Sequence, residues 1–248
     1  MACRQFIIVS YFILYTSLAF CQAKKSLAAE DLNRANAYLK QAEELTYTDI
    51  DSMLMVTKKA FQIAEAHLQS KIGNITEFVK IKGTALNNIS YHYYETGNVE
   101  EAKNTGLQAY QLLESVKAYA LLASCCSNLA AFNESEGNID LSKMYFEKAL
   151  NFAIRGGDSL GIADSYNSLA YIYNNNGEIL KSIQFFEDAL RIQYRIKDSV
   201  GVANSLFNLG SIYVTQDEVE NGIAYLQKSA SAFEQIGDDQ GLGSAIEH

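Results

Sequence analysis

Apolar and small residues return along this chain in columns 40 positions apart. One column runs through Ile89, Leu129, Leu169 and Leu209, and the residue after each is small: Ser90, Ala130, Ala170 and Gly210. A second holds only small residues, Gly83, Ala123, Ala163, Ala203 and Gly243, and a third reads Tyr93, Asn133, Tyr173 and Tyr213. Gly97, Gly137 and Gly177 mark a turn column in which Asp217 takes the next place. Beyond the turn come Ala102, Ser142, Ser182 and Gly222, then Gly106, Phe146, Phe186 and Leu226, then Ala109, Ala149, Ala189 and Ser229. Columns of different chemistry that stay in register without a gap establish an internal repeat, the signature of a solenoid.

The spacing within one unit predicts two helices. Ala163, Tyr166, Leu169, Ala170 and Tyr173 fall three and four apart, on one helical face. Asn176-Gly177 then breaks the helix, because glycine accepts the left-handed conformation that closes a helix C-terminus. The second helix carries Ile179, Ile183, Phe186, Ala189 and Leu190 inward. Ala170 and Ala189 let the paired helices approach, while Tyr173 and Phe186 fill the space between neighbouring hairpins. The expected fold is all-α, with antiparallel helix pairs stacked one on the next.

These residues resemble the tetratricopeptide repeat, whose units show a Leu-Ala or Leu-Gly pair, a tyrosine, a turn glycine, then Ala, Phe and Ala. Tyr166, Leu169, Ala170, Tyr173, Gly177, Ser182, Phe186 and Ala189 match that order, as do Leu86, Ile89, Ser90, Tyr93, Gly97, Ala102 and Ala109. Cys126, Leu129, Ala130, Gly137, Ser142, Phe146 and Ala149 do so again, and Leu206, Leu209, Gly210, Tyr213 and Leu226 once more. The resemblance spans roughly residues 50–248 and implies a right-handed α-solenoid. Two features depart from the usual pattern: the period is 40, against about 34, and the chain has no proline. Asp158-Ser159 and Asp198-Ser199 fit loops that replace the proline, since both residue types cap helix starts. HEAT-type arrays repeat near this length but do not place Leu-Ala, Tyr and Gly at these offsets.

On this reading the chain divides into a signal peptide at 1–23, a capping helix with a divergent first repeat at 24–82, and repeats at 83–122, 123–162, 163–202 and 203–242. Residues 243–248 begin a fifth, truncated unit whose helix is expected to be short and uncapped. Arg4, the apolar run Phe6–Phe20 and the small exit residue of Cys21-Gln22-Ala23 describe a secretory leader too short to span a membrane comfortably. Cleavage fits after Ala23 or after Cys21, and the expected location is exported, periplasmic or extracytoplasmic. Before the first full unit, helices are expected over Asp31–Leu45 and Ser52–Gln69.

The formal net charge is −9, and removing the leader with Arg4 leaves about −10. Such a surface repels nucleic acid and anionic lipid. Cys3 and Cys21 belong to the leader, whereas Cys125 and Cys126 are adjacent on one helix, where a bond between them would be badly strained. Cys126 occupies a core column and reads as a small buried hydrophobe. His67, His92 and His248 lie on separate units without metal-ligand spacing, and no nucleophile motif or phosphate-cradling loop is present. His67 reads as a solvated helix residue and His92 as partly packed. No enzyme, cofactor or metal is expected.

The family resemblance implies a groove lined by the first helix of each hairpin. Its outward positions here are Asn87, Asn88 and Tyr91; Asn128; Asp164, Asn167, Tyr171 and Asn174; and Asn204, Phe207 and Asn208. Asparagine amides donate and accept at once, which suits an extended peptide; equally, they can tie adjacent helices together. No Lys or Arg occupies these positions, so the family's clamp for a C-terminal carboxylate is absent. The function expected is an exported scaffold that binds a protein or extended peptide, not nucleic acid. The alternative is the truncated sensor region of a signalling histidine kinase or transcriptional regulator. Membrane attachment would then run through a downstream segment or a lipidated Cys21.

Overall fold

The computed structural model describes the backbone of residues 2–247 and the side chains of residues 22–247. The proposed leader therefore lies almost wholly outside the described side chains. Every described element is helical, and the chain forms two compact units, Met1–Ala118 and Tyr119–His248. Among the described residues no helix is long and apolar enough to cross a membrane.

The first unit contains α1 (Ala2–Leu45), α2 (Ile50–Ser70), α3 (Ile75–Glu95) and α4 (Val99–Ser115), each packed on the next. Ala35 of α1, Ala60 and Ala64 of α2, and Phe78 and Ile81 of α3 form a buried cluster. The alanines bring the helix axes close, and the Phe78 ring fills the gap that remains. Asp49 and Asn74 cap α2 and α3 by accepting from the backbone N–H groups of Ser52 and Glu77.

His67 corrects the sequence expectation. It is buried, with Nε2 2.9 Å from Asp31 Oδ2 and Nδ1 3.2 Å from the carbonyl oxygen of Ile72. Its ring stacks on Phe78 with centroids 4.2 Å apart. The residue pins α1 to the end of α2 rather than facing solvent. His92 occupies the column that Phe132, Ile172 and Ile212 fill elsewhere, and its Nε2 lies 3.2 Å from Asp51 Oδ1.

The second unit contains α5 (Tyr119–Ser135), α6 (Ile139–Gly156), α7 (Ser159–Asn175), α8 (Ile179–Ile196), α9 (Ser199–Thr215), α10 (Val219–Ile236) and α11 (Asp239–Glu247). Helices pair as α5–α6, α7–α8 and α9–α10, and each pair packs on the next. Tyr173 and Leu169 of α7 meet Phe146 of α6, and one hairpin later Leu209 and Ile212 of α9 meet Phe186 of α8. Within pairs, Ser182 donates to the carbonyl of Ala170 and Ser229 to that of Ala203, both at 2.8 Å. Cys125 and Cys126 are buried free thiols.

The turns inside the hairpins place Gly97, Gly137 and Gly177 at φ 81, 78 and 76°, and Asp217 adopts the same left-handed backbone at φ 61°. The helices that follow the other turns start earlier than the small-residue column, with α7 beginning at Ser159 ahead of Ala163. The cause is a repeated cap: Asp158, Asp198 and Asp238 accept from the N–H groups of Gly161, Gly201 and Gly241 at 2.9–3.0 Å. The carboxylates of Asp158 and Asp198 fold over their glycines, so a Cβ on Gly161 would meet Asp158 Oδ2 at 2.6 Å. The cap of Asp238 also corrects the expected uncapped start of α11, whose Ala245 is buried with Ala203 and Phe233.

Candidate binding face

In the second unit the first helices of the hairpins, α5, α7 and α9, carry the outward positions that the repeat pattern singles out. Asp164, Tyr171 and Asn204 are exposed, and Asn128, Asn167, Asn174, Phe207 and Asn208 are half-buried. Two hydrogen bonds knit α7 to α9 along this face. Tyr171 Oη donates to Asn208 Oδ1 at 2.9 Å, and Ser205 Oγ lies 3.1 Å from Asn167 Oδ1. Part of the asparagine set thus ties neighbouring hairpins together, while the exposed ring of Tyr171 and the amide of Asn204 still face outward. Asn204 and Phe207 also border a recess of about 230 Å³ with Phe233, Gln240 and Ser244.

Asp164 reports the electrostatics of the face. Water reaches its surface, yet the surrounding protein thins the solvation of its carboxyl and pushes it up to about 6. The negative charges of Asp198 and Asp158 add to that shift.

In the first unit the three predicted positions separate. Asn87 is buried at 7% exposure and belongs to the inner side of α3, a correction to its expected outward position. It stands one turn from both Gly83 and Ser90, which are buried too. Asn88 is half-buried, and Tyr91 packs against the cluster of Ala42, Met53 and Val56. Burial, then a hydrogen bond with Glu95, pushes the Tyr91 hydroxyl up to about 12.

Sequence reasoning missed a fully buried amide in the second unit. Gln193 of α8 is fully buried, and its Oε1 lies 2.8 Å from the Ser205 hydroxyl, which also reaches Asn167. The neighbouring repeats hold Leu113, Ala153 and Phe233 in its column, and that contrast was the signal available. Among the described residues no group of three His, Cys, Asp or Glu side chains is placed to hold a metal ion.

Hairpins of this length, with Leu-Ala pairs, a left-handed turn residue and Phe between hairpins, have a counterpart among known families. Residues 119–195 and 162–235 match the family model of the tetratricopeptide repeat. Over residues 119–235 the chain is similar to tetratricopeptide repeats. No curated protein sequence matches it. Among solved structures, the chain is similar to BtubC from P. vanneervenii, at 16% identity and a TM-score of 0.62, covering 85% of this chain and 92% of that one. It is similar to the nearly identical TPR-like repeats of a putative kinesin light chain from Podospora anserina, at 13% identity, TM-score 0.59, 83% and 97% coverage. A third is the Rap conjugation gene regulator of plasmid pLS20 in complex with the Phr* peptide, at 15% identity, TM-score 0.65, 84% of this chain and 56% of that one. At these identities the likeness shows the fold alone.

Proposed function

We propose that the tetratricopeptide-repeat array is an interaction scaffold that holds an extended peptide segment along the face of α7 and α9. The observation that carries this reading is the row formed by Asp164, Asn167, Tyr171, Asn174, Asn204 and Asn208, all reachable from solvent on successive turns of two neighbouring helices. Amides and a phenol spaced along a helix face can pair with successive peptide groups of an extended ligand, each through both donor and acceptor. The pLS20 regulator, similar in fold, was solved with a peptide bound. An acidic chain of net charge −9 favours a neutral or basic segment.

Panning a peptide library against the full chain tests this. Enriched peptides are expected to lose about tenfold or more in affinity on the combined Asn174→Ala and Asn204→Ala change, with the helical circular dichroism intact. Failure to enrich any peptide, or full affinity in the variant, overturns the reading.

We also propose that the array works outside the cytoplasm, because Arg4 followed by the apolar Phe6–Phe20 run and Ala23 has the order of a secretory leader. N-terminal sequencing of the secreted product should then begin at Gln22 or Lys24, and a cytoplasmic product retaining Arg4 would contradict it.

A further inference from the structure

We propose that the crevice between α8, α9 and α10 is a binding site for a small amphipathic carboxylate, separate from the peptide face. Its volume is about 480 Å³, within the range of roughly 300–1,000 Å³ usual for small-molecule sites. It opens on the flank of α9 that carries Val202 and Leu206, the opposite flank from Asn204 and Asn208.

The floor is apolar. Val202 and Leu206 are buried, and Ala232 and Ile236 of α10 lie beside them. The rim carries two cations, Lys197 at the end of α8 and Lys228 on α10, together with Tyr194, Ser199, Ser231 and Gln235. Among the described residues neither lysine is in an ion pair; Lys228 only lies over the Tyr225 ring, 5.4 Å from its centroid. The one carboxylate at the rim, Asp198, is engaged in capping Gly201 at 2.9 Å. A chain of net charge −9 therefore presents a locally positive mouth over a greasy floor. That combination fits a molecule with a hydrocarbon body and one anionic head.

Two further features mark this crevice. Lys197 holds a left-handed backbone, φ 61°, as Lys117 does at φ 53°, whereas the turns on either side use Gly157 and Gly237. At the inner wall, Gln193 is fully buried, and its Nε2 has no hydrogen-bond partner, although its Oε1 pairs with Ser205. Buried donors are nearly always paired, so this one points to an acceptor that the protein itself does not supply. A Cβ on Gly201 would collide with Asp198 Oδ2 and lie 2.7 Å from Gln193 Nε2, so glycine lets the capping carboxylate and the amide sit side by side there. The repeats on either side cannot reproduce the site, because Ala153 has no donor and the Phe233 ring fills the equivalent volume over Gly241.

Octanoate is the probe, with octan-1-ol as its uncharged counterpart and acetate as the head without the body. Titrated into the full chain, octanoate should saturably shift the methyl resonances of Val202 and Leu206, and should bind about tenfold or more tighter than octan-1-ol or acetate. Lys197→Gly combined with Lys228→Met should lower octanoate affinity about tenfold. Lys197→Gly leaves the turn in a backbone that glycine prefers, so the loss cannot be assigned to unfolding. Gln193→Leu should weaken octanoate as well, with the helical circular dichroism intact. The proposal is overturned if no saturable shift appears, if octan-1-ol binds as well as octanoate, or if the lysine variant keeps full affinity.

Discussion

Tyr171 and Asn208 stand 37 positions apart in sequence and share one hydrogen bond, 2.9 Å from Oη to Oδ1, across the outer faces of α7 and α9. The bond occupies the carbonyl oxygen of the asparagine and leaves its NH₂ for another acceptor. The same side chain can therefore brace the array and still present a donor along the face.

That double role gives a measurable coupling. Tyr171→Phe and Asn208→Ala should each lower stability by about 0.5–1 kcal/mol, as exposed neutral hydrogen bonds do. The double variant should lose little more than either single one. A denaturant-melting cycle with additive losses would mean that the bond contributes nothing in solution.

Asp217 holds the turn that Gly97, Gly137 and Gly177 make elsewhere, at φ 61°. A left-handed backbone costs a side-chain-bearing residue about 1–2 kcal/mol, and the extra chain entropy of glycine recovers part of this, about 0.5–1 kcal/mol. Asp217→Gly should accordingly raise stability by about 0.5 kcal/mol, whereas Gly177→Ala should lower it by about 1 kcal/mol. A lower melting temperature for the Asp217→Gly protein would contradict the assignment of that turn.

Asp164 has a folded-state carboxyl raised from 3.8 to about 6 by lost solvation and the nearby Asp198 and Asp158. Between those values the native state binds more protons than the unfolded chain, so this group makes stability fall as pH rises from about 4 to 6 and holds the full penalty above. Asp164→Asn should remove that slope and leave the variant more stable than the parent at pH 7–8, with the two converging near pH 4. Parallel curves for the two proteins across this window would refute the shift.

His67 joins α1, the end of α2 and Phe78 through two polar contacts and a stacked ring. His67→Ala should cost about 2–3 kcal/mol, since it leaves Oδ2 of the mostly buried Asp31 unpaired, with only Oδ1 still held by Arg34, and removes a ring from the cluster. Amide exchange should quicken in α1 and α2, with α7–α10 unchanged. Uniform loss of protection along the chain would place the effect elsewhere.

Much of the fold was legible because the repeat constrains residue size where backbones touch. Ala170 and Ala189 are buried where helices cross, and the turn glycines take positive φ, so sequence and geometry read each other directly. Helix starts were legible at Asp158 and Asp198, which read as caps, but not at Asp238. They are set by Asp158, Asp198 and Asp238, whose caps lie upstream of the first apolar residue of the pattern. Polar residues at inner positions were hardest to place. Asn87 looked outward by its chemistry although its spacing from Gly83 and Ser90 put it on the inner side. His67 depends on Asp31, 36 positions away, and Gln193 on Ser205 in the next hairpin, and neither partner announces itself in a single helix.

The carboxylates at 158, 198 and 238 close every joint between consecutive helix pairs of the second unit with the same bond to the same glycine. A segment such as 159–198 therefore begins with the glycine of one joint and ends with the carboxylate of the next. Duplication or excision of such cassettes in the coding DNA would splice cleanly, and arrays of this kind can lengthen or shorten over generations without inventing a new connection.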